Sequence, residues 1–267
     1  MRIVVCVKQV PNPEIAASQY RVDEQARTVA PMAGVPLVMS PFDEQAVEAA
    51  LRVREAHPAA KVTVVSLGPE RARNVIKHGL AMGADEGVLL ADTAFAGSDG
   101  YTTALTLTAA IKKIGNVELV LTGRQAADWD SGVVGAGIGE LLGVPVISFA
   151  QEVRVENGVV HVERVLDDGT EIVEVPLPAV VTVSNELGTP RTPSLRETMR
   201  AARKPVAVWS ASDLGLAADT VGAAGARRVL ERMFIPVKQN RCEFIAGKSP
   251  EEQAAGLAQR LRESKLI

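Results

Sequence analysis

Over the first 150 residues, short unbroken apolar runs alternate with segments whose apolar residues recur at helical spacing. Ile3–Val7, Val62–Ser66, Gly87–Leu90 and Leu119–Thr122 have the continuous apolar character of strands buried on both faces. Between them, 41–56, 69–82 and 99–114 are spaced as amphipathic helices. This alternation predicts an α/β fold: a doubly wound, mostly parallel sheet with right-handed crossovers. From 146 to 184 the pattern changes. Val146–Val155, Val159–Leu166, Thr170–Val175 and Ala179–Val183 read as strands, and Asn157-Gly158 and Asp168-Gly169 mark tight turns, so a β-hairpin region is added to the sheet.

Beyond Val183 the periodicity stops. Residues 184–195 form a polar segment punctuated by Pro190 and Pro193, read as a loop, and a basic cluster of Arg200, Arg203 and Lys204 follows. Structureless segments of this length usually carry function. An alanine- and glycine-rich link at 215–226 leads to a C-terminal helical arm. Two helix starts share one device. Ser40-Pro41-Phe42-Asp43 and Ser249-Pro250-Glu251-Glu252 each offer a capping hydroxyl, a proline at the first helical position and a carboxylate three residues after the cap. The second opens a helix with Ala254, Leu257, Ala258 and Leu261 on one side. The expected organisation is an α/β domain over 1–205, with a distinct loop at 184–200, and a linker and arm over 206–267.

Composition narrows the function classes. The net charge is −3, from 29 basic and 32 acidic residues, so no large positive field is available to hold nucleic acid or an anionic membrane. No apolar stretch approaches the roughly 18 residues that span a bilayer. The apolar run after Met1 reads as a buried strand rather than a signal peptide. The two cysteines, Cys6 and Cys242, are far apart and fit a reducing cytoplasm better than a disulfide framework.

The segment most suggestive of chemistry runs from Leu121 to Gly135. It follows a strand and enters a helix rich in small residues. Ligands of open α/β sheets sit beyond the carboxyl ends of strands, where a helix start presents free N–H groups to an anion. Gly132 and Gly135 would let a phosphate approach the backbone; alternatively Asp130 or Ser131 simply caps the helix. The run Gly135-Ala136-Gly137-Ile138-Gly139 lacks the full dinucleotide spacing and reads as helix packing. His57, His78 and His161 have no metal-ligand spacing, and no serine or cysteine elbow is present, so neither a catalytic residue nor a metal site is expected.

Taken together, these segments resemble the β subunit of the electron-transfer flavoproteins, the FixA-type family, over nearly the whole chain. The resemblance rests on Cys6-Val7-Lys8-Gln9-Val10-Pro11, on Ser40 to Val47, and on Thr122 to Ala126 followed by Asp128 and Asp130. Its most specific part is Val162 to Ser184, with Arg164, Asp167-Asp168-Gly169, Glu171, Val173 and Pro178 to Thr182 in order. Thr189 to Leu195 is similar to a partner-recognition loop, and Glu243 to Glu252 to a C-terminal arm.

The resemblance implies an adenine-nucleotide-binding domain with an arm that embraces an α subunit. The α subunit would hold most of a redox FAD. The pair would carry electrons from flavin dehydrogenases to a quinone oxidoreductase or toward ferredoxin. It implies nucleotide contacts from Cys6, Val7, Lys8, Ser40, Ser66, Leu67, Gly68, Thr122, Gly123, Asp128, Ser131, Gly132, Val133 and Val134. Phe42 would lie near the α-subunit flavin, and Leu195 would anchor redox partners.

Two positions depart from the family pattern. Trp129 stands where relatives have glycine or aspartate, and Val133 where they have glutamine, which puts a side-chain bond to phosphate there in doubt. The resemblance implies AMP or a second FAD as the ligand of this chain. Val134 and Thr103 resemble the second-FAD group, whereas the bulk of Trp129 points the other way. A stand-alone nucleotide-binding regulator of the universal-stress type would share the sheet but needs neither the hairpin region nor the arm. An NAD-dependent dehydrogenase would need a glycine fingerprint that is missing.

Overall fold

The computed structural model describes residues 1–31, 34–236 and 242–267. The chain divides into two compact units, Met1–Arg232 and Met233–Ile267. In the first, the elements run β1 (Arg2–Cys6), β2 (Gln9–Pro11), β3 (Tyr20–Asp23), β4 (Thr28–Pro31), β5 (Leu37–Met39), α1 (Pro41–Ala56), β6 (Lys61–Leu67), α2 (Arg73–Met82), β7 (Glu86–Leu90), α3 (Gly100–Ile114) and β8 (Leu119–Gly123). They continue with α4 (Val134–Leu142), β9 (Val146–Glu156), β10 (Val159–Leu166), β11 (Gly169–Pro176), β12 (Ala179–Val183), α5 (Leu195–Arg203), β13 (Ala207–Trp209) and the short α6 (Gly222–Gly225).

Nine strands form one sheet in the order β11-β10-β9-β12-β8-β1-β6-β7-β13. Pairing is parallel except where β10 meets β9 and β11. The apolar runs are continuous because both faces are covered. Along β1, Ile3 and Val5 enter the core under α1 and α2, while Val4 and Cys6 enter the core under α3 and α4. Successive strand side chains point to opposite faces, so each run feeds two cores at once. The chain runs from β1 outward through β6 and β7, then crosses back to β8 on the other side of β1. That reversal marks the space beyond the carboxyl ends of β1 and β8 as the candidate ligand crevice.

The expected doubly wound α/β sheet with an added hairpin region is therefore present. The turn between β9 and β10 has positive φ at both Asn157 (52°) and Gly158 (79°), the geometry that a two-residue hairpin of this hand demands. Three features escaped the pattern reading. Two small pairs, β2 with β5 and β3 with β4, are too short to show a period. β13 adds a sheet edge beside β7. The segment read as loop through the basic cluster contains α5, opened by a reciprocal cap in which Ser194 and Glu197 bond each other's backbone N–H.

The second unit contains α7 (Pro250–Glu263), whose start is capped by Ser249 as its sequence suggests. None of the helix's residues is buried, and Phe244 is 90% exposed. An Arg260–Glu243 ion pair at 2.7 Å and the seat of Gly256 against Ile245 tie the helix to the segment before it. Among the described residues, no helix is long and apolar enough to cross a membrane.

The glycine run of α4 serves packing. A Cβ on Gly139 would lie 2.0 Å from Val146 Cγ2, and one on Gly137 2.9 Å from Ala104 Cβ. Alanine gains ~1 kcal/mol of helix preference over glycine, but its Cβ would push the branched Val146 side chain out of its present rotamer. Gly139→Ala is expected to destabilise the fold by about 1–3 kcal/mol, seen as a lower urea midpoint with an unchanged denaturant slope.

A candidate nucleotide site at the sheet switch point

The crevice is held by a carboxylate. Asp43 lies in the first turn of α1, where its spacing from Ser40 suggests a cap. The structure corrects this, for Ser40 makes no side-chain cap and Asp43 turns inward. Its Oδ2 accepts the backbone N–H of Lys8 at 2.7 Å and its Oδ1 that of Gly123 at 3.1 Å. One side chain thus ties the ends of β1 and β8 together across the switch point. Gly123 is obligatory there: a Cβ would meet Asp43 Oδ1 at 2.6 Å and the Phe42 backbone carbon at 2.8 Å. Ser40, fully buried, accepts the N–H of Ala127 at 3.4 Å, and Lys8 Nζ pairs with Asp128 at 2.7 Å. The loops after β1 and β8 and the start of α1 are therefore one bonded cluster.

This cluster unites eight of the residues that the sequence nominates: Cys6, Val7, Lys8, Ser40, Phe42, Thr122, Gly123 and Asp128. Ser66 and Leu67 end the neighbouring strand β6, with Gly68 just beyond it, and β6 is joined to the end of β1 by the bond from Val7 N–H to Val65 O at 2.8 Å. Ser66 Oγ is buried with no hydrogen-bond partner, a polar atom free for a ligand. Neither Asp130 nor Ser131 caps α4. The N-cap is Val133, with no side-chain bond, so the first-turn N–H groups lack a capping acceptor. Asp130 instead accepts from Gln125 Nε2 at 2.8 Å with φ at 49°. Ser131, Gly132 and Val133 are exposed and Val134 is half-buried; Gly100, opening α3, packs against Val133 and brings the half-buried Thr103 toward the same end. Leu195 does not join this cluster; it opens α5, which packs on α2.

Two participants went unnominated as site residues. Asp43 was hidden by its cap spacing. Arg124 lies with its guanidinium carbon 5.0 Å from the Phe42 ring centre and 5.9 Å from that of Phe149. Phe149 has φ of 60°, a strained backbone for an aromatic residue and one that clusters at functional sites. No sequence signal places Arg124 between two rings from distant elements.

The electrostatics follow from burial. Desolvation raises Asp43 to about 7, against the lowering effect of the bonds from Lys8 and Gly123. Cys6 is pushed up to about 12 by burial and by Asp43, so its thiol is inert as a nucleophile. Among the described residues, no group of three or more His, Cys, Asp or Glu is arranged to hold a metal ion.

A doubly wound sheet with an uncapped helix start and close-packed glycines at its switch point defines an α/β protein with a candidate ligand site beyond its strand ends. The electron transfer flavoprotein domain matches residues 29–214. Relatives include the caffeyl-CoA reductase-Etf complex subunit CarD of Acetobacterium woodii, 38% identical over 267 residues and 100% of both chains. An electron transfer flavoprotein subunit beta of Clostridium acetobutylicum is 36% identical over 100% of both chains. Protein FixA of Azorhizobium caulinodans is 35% identical over 88% of this chain and 85% of its own. The chain belongs to the electron transfer flavoprotein family.

Because the folded-state value of Asp43 is raised, the folded protein keeps a proton that the unfolded chain has released. That contribution to stability is fully present below about pH 4 and is lost as pH rises through about 7. Thermal unfolding of wild type and Asp43→Asn across pH 4–8 should give midpoints whose difference changes within this window and levels off above it. A constant difference would remove the titration from Asp43.

Proposed function

We propose that this chain is the β-type subunit of a heterodimeric electron-transfer flavoprotein. It pairs with an α subunit that holds the redox FAD, accepts electrons from flavin dehydrogenases and delivers them to a quinone oxidoreductase or a ferredoxin-type acceptor in the cytoplasm. The similarity to electron transfer flavoprotein β subunits along the full length of both chains carries this reading. The exposed apolar residues of the second unit, Phe244, Leu257 and Leu266 among them, fit an arm that is covered by an α subunit.

Within the complex a bound flavin supplies the electron chemistry; this chain's residues hold and orient. The unpartnered Ser66 hydroxyl, the free first-turn N–H groups of α4 and the exposed Ser131 and Gly132 fit an adenine nucleotide with its phosphates at the helix start. Phe42, its ring centre 5.0 Å from the Arg124 guanidinium carbon, would lie near the edge of the α-subunit flavin, as the resemblance implies. Trp129 is 56% exposed and offers a free face on which a ring could stack. That face would serve the adenine of AMP as well as a flavin, so it is Val134 and Thr103, through their resemblance to the second-FAD group, that favour a second FAD over AMP. Denaturing the purified heterodimer and quantifying its nucleotides tests the ligand: two FAD per complex are expected, and one FAD with one AMP would assign AMP instead. A colourless monomer that binds ATP would point to a stand-alone regulator.

Leu195 is 77% exposed at the head of α5 and is proposed as the anchor for redox partners. A buried central anchor contributes about 2 kcal/mol or more, so Leu195→Ala should raise KM for a flavin dehydrogenase by roughly 30-fold. Flavin content should be unchanged, and an unaltered KM would retire Leu195 from this role.

A further inference from the structure

The segment that leads into α5 is clamped to α1 by a buried carboxylate. Glu48, in the second turn of α1, is 5% exposed. It accepts four hydrogen bonds: from Arg191 N at 3.2 Å, Arg191 Nε at 2.7 Å, Arg191 Nη2 at 3.1 Å and Arg52 Nε at 3.0 Å. The clamp extends to either side. Arg191 Nη1 also reaches Glu55 at 2.8 Å, Arg52 Nη1 donates to Leu187 O at 3.1 Å, and Gln45 Nε2 to Gly188 O at 2.6 Å. Burial raises Glu48, but the bonds from Arg191 and Arg52 outweigh it and hold the group below the usual carboxylate range. A buried charge network of this kind contributes little net stability over an apolar replacement. What it supplies is geometry, because the forked guanidinium fits the carboxylate in one orientation.

That geometry is handed directly to α5. Arg191 lies four residues before Leu195, with Pro193 and the N-cap residue Ser194 between them. At the other end of α5, Lys77 Nζ donates to Ala201 O at 3.2 Å, to Ala202 O at 3.0 Å and to Lys204 O, closing the helix on α2. Leu195 and Met199, one turn apart, are left 77% and 57% exposed. An apolar pair displayed from a helix fixed at both ends is a preorganised docking element, because little freedom remains to be lost on binding.

We propose that Glu48 is a positioning residue for redox-partner docking: through Arg191 it clamps the 186–191 segment to α1, so that Leu195 and Met199 are presented together as a rigid apolar pair. This rests on the reading of α5 and the segment before it as the docking element.

The test uses the purified heterodimer carrying Glu48→Gln. Glutamine keeps the shape, but its NH2 group faces donors and cannot accept the guanidinium fork. Trypsin cleavage after Arg191 and Arg196, located by mass spectrometry, should accelerate by about tenfold or more as the clamp opens. With a flavin dehydrogenase chosen because it reduces the wild-type complex, KM should rise about tenfold while kcat and flavin content hold. In a Leu195→Ala background, Glu48→Gln should add little to KM, since both act through one contact. Arg191→Gln, which leaves Glu48 bonded to Arg52 and removes the cleavage site at 191, should reproduce the acceleration at Arg196 if Glu48→Gln fails to fold. Wild-type protection in both variants would overturn the clamp. Lost protection with an unchanged KM would overturn its role in docking. An unchanged KM in Leu195→Ala alone would show that the docking reading itself has failed, while the trypsin result still decides the clamp.

Discussion

A carboxylate removed from water must be matched by donors, and Asp43 finds them at the ends of two strands that meet only where the sheet reverses direction. Its bonds to the N–H groups of Lys8 and Gly123 hold the loops after β1 and β8 at one separation. The placement of Lys8 against Asp128, the seat of Ala127 on Ser40 and the close fit of Phe42 over Gly123 all depend on it. Hydrogen bonds of this type contribute about 0.5–1.5 kcal/mol each, but the larger consequence is that the separation of the two loops is fixed.

Helix α1 carries two such groups five residues apart. Asp43 faces the strand ends, and Glu48 faces the segment that leads to α5. The apolar residues of the same helix, Ala46, Val47, Ala50 and Leu51, pack on the sheet. One rigid element therefore sets the position of both the candidate ligand crevice and the exposed Leu195. Both carboxylates are ion-paired or backbone-bonded rather than free, as expected for charges tolerated in a folded interior.

The second unit follows a different principle. Its helix has caps, ion pairs and a proline start but no buried residue, so its local signals define a helix without defining a core. A helix of this kind gains most of its stability from packing, which this unit cannot supply by itself.

By itself, the sequence determined the strand runs, the main helices, the two-residue turns and the glycine packing of α4. These depend on periodicity, on the covered faces of a parallel sheet and on backbone angles open to few residues, all of which are local. It also brought most of the switch-point residues into view, through their resemblance to a family whose domain matches the chain. It did not reveal that Asp43 leaves its cap position, that Arg124 lies between Phe42 and Phe149, or that Arg191 closes on Glu48 across 143 residues. Helix α5 had a local signal in Ser194 and Glu197, but neighbouring prolines and a face of only a few apolar residues obscured it. Those features were decided by the tertiary structure alone, because a buried polar group takes its partner from whatever donor the packing brings within about 3 Å, and no spacing along the chain encodes that meeting.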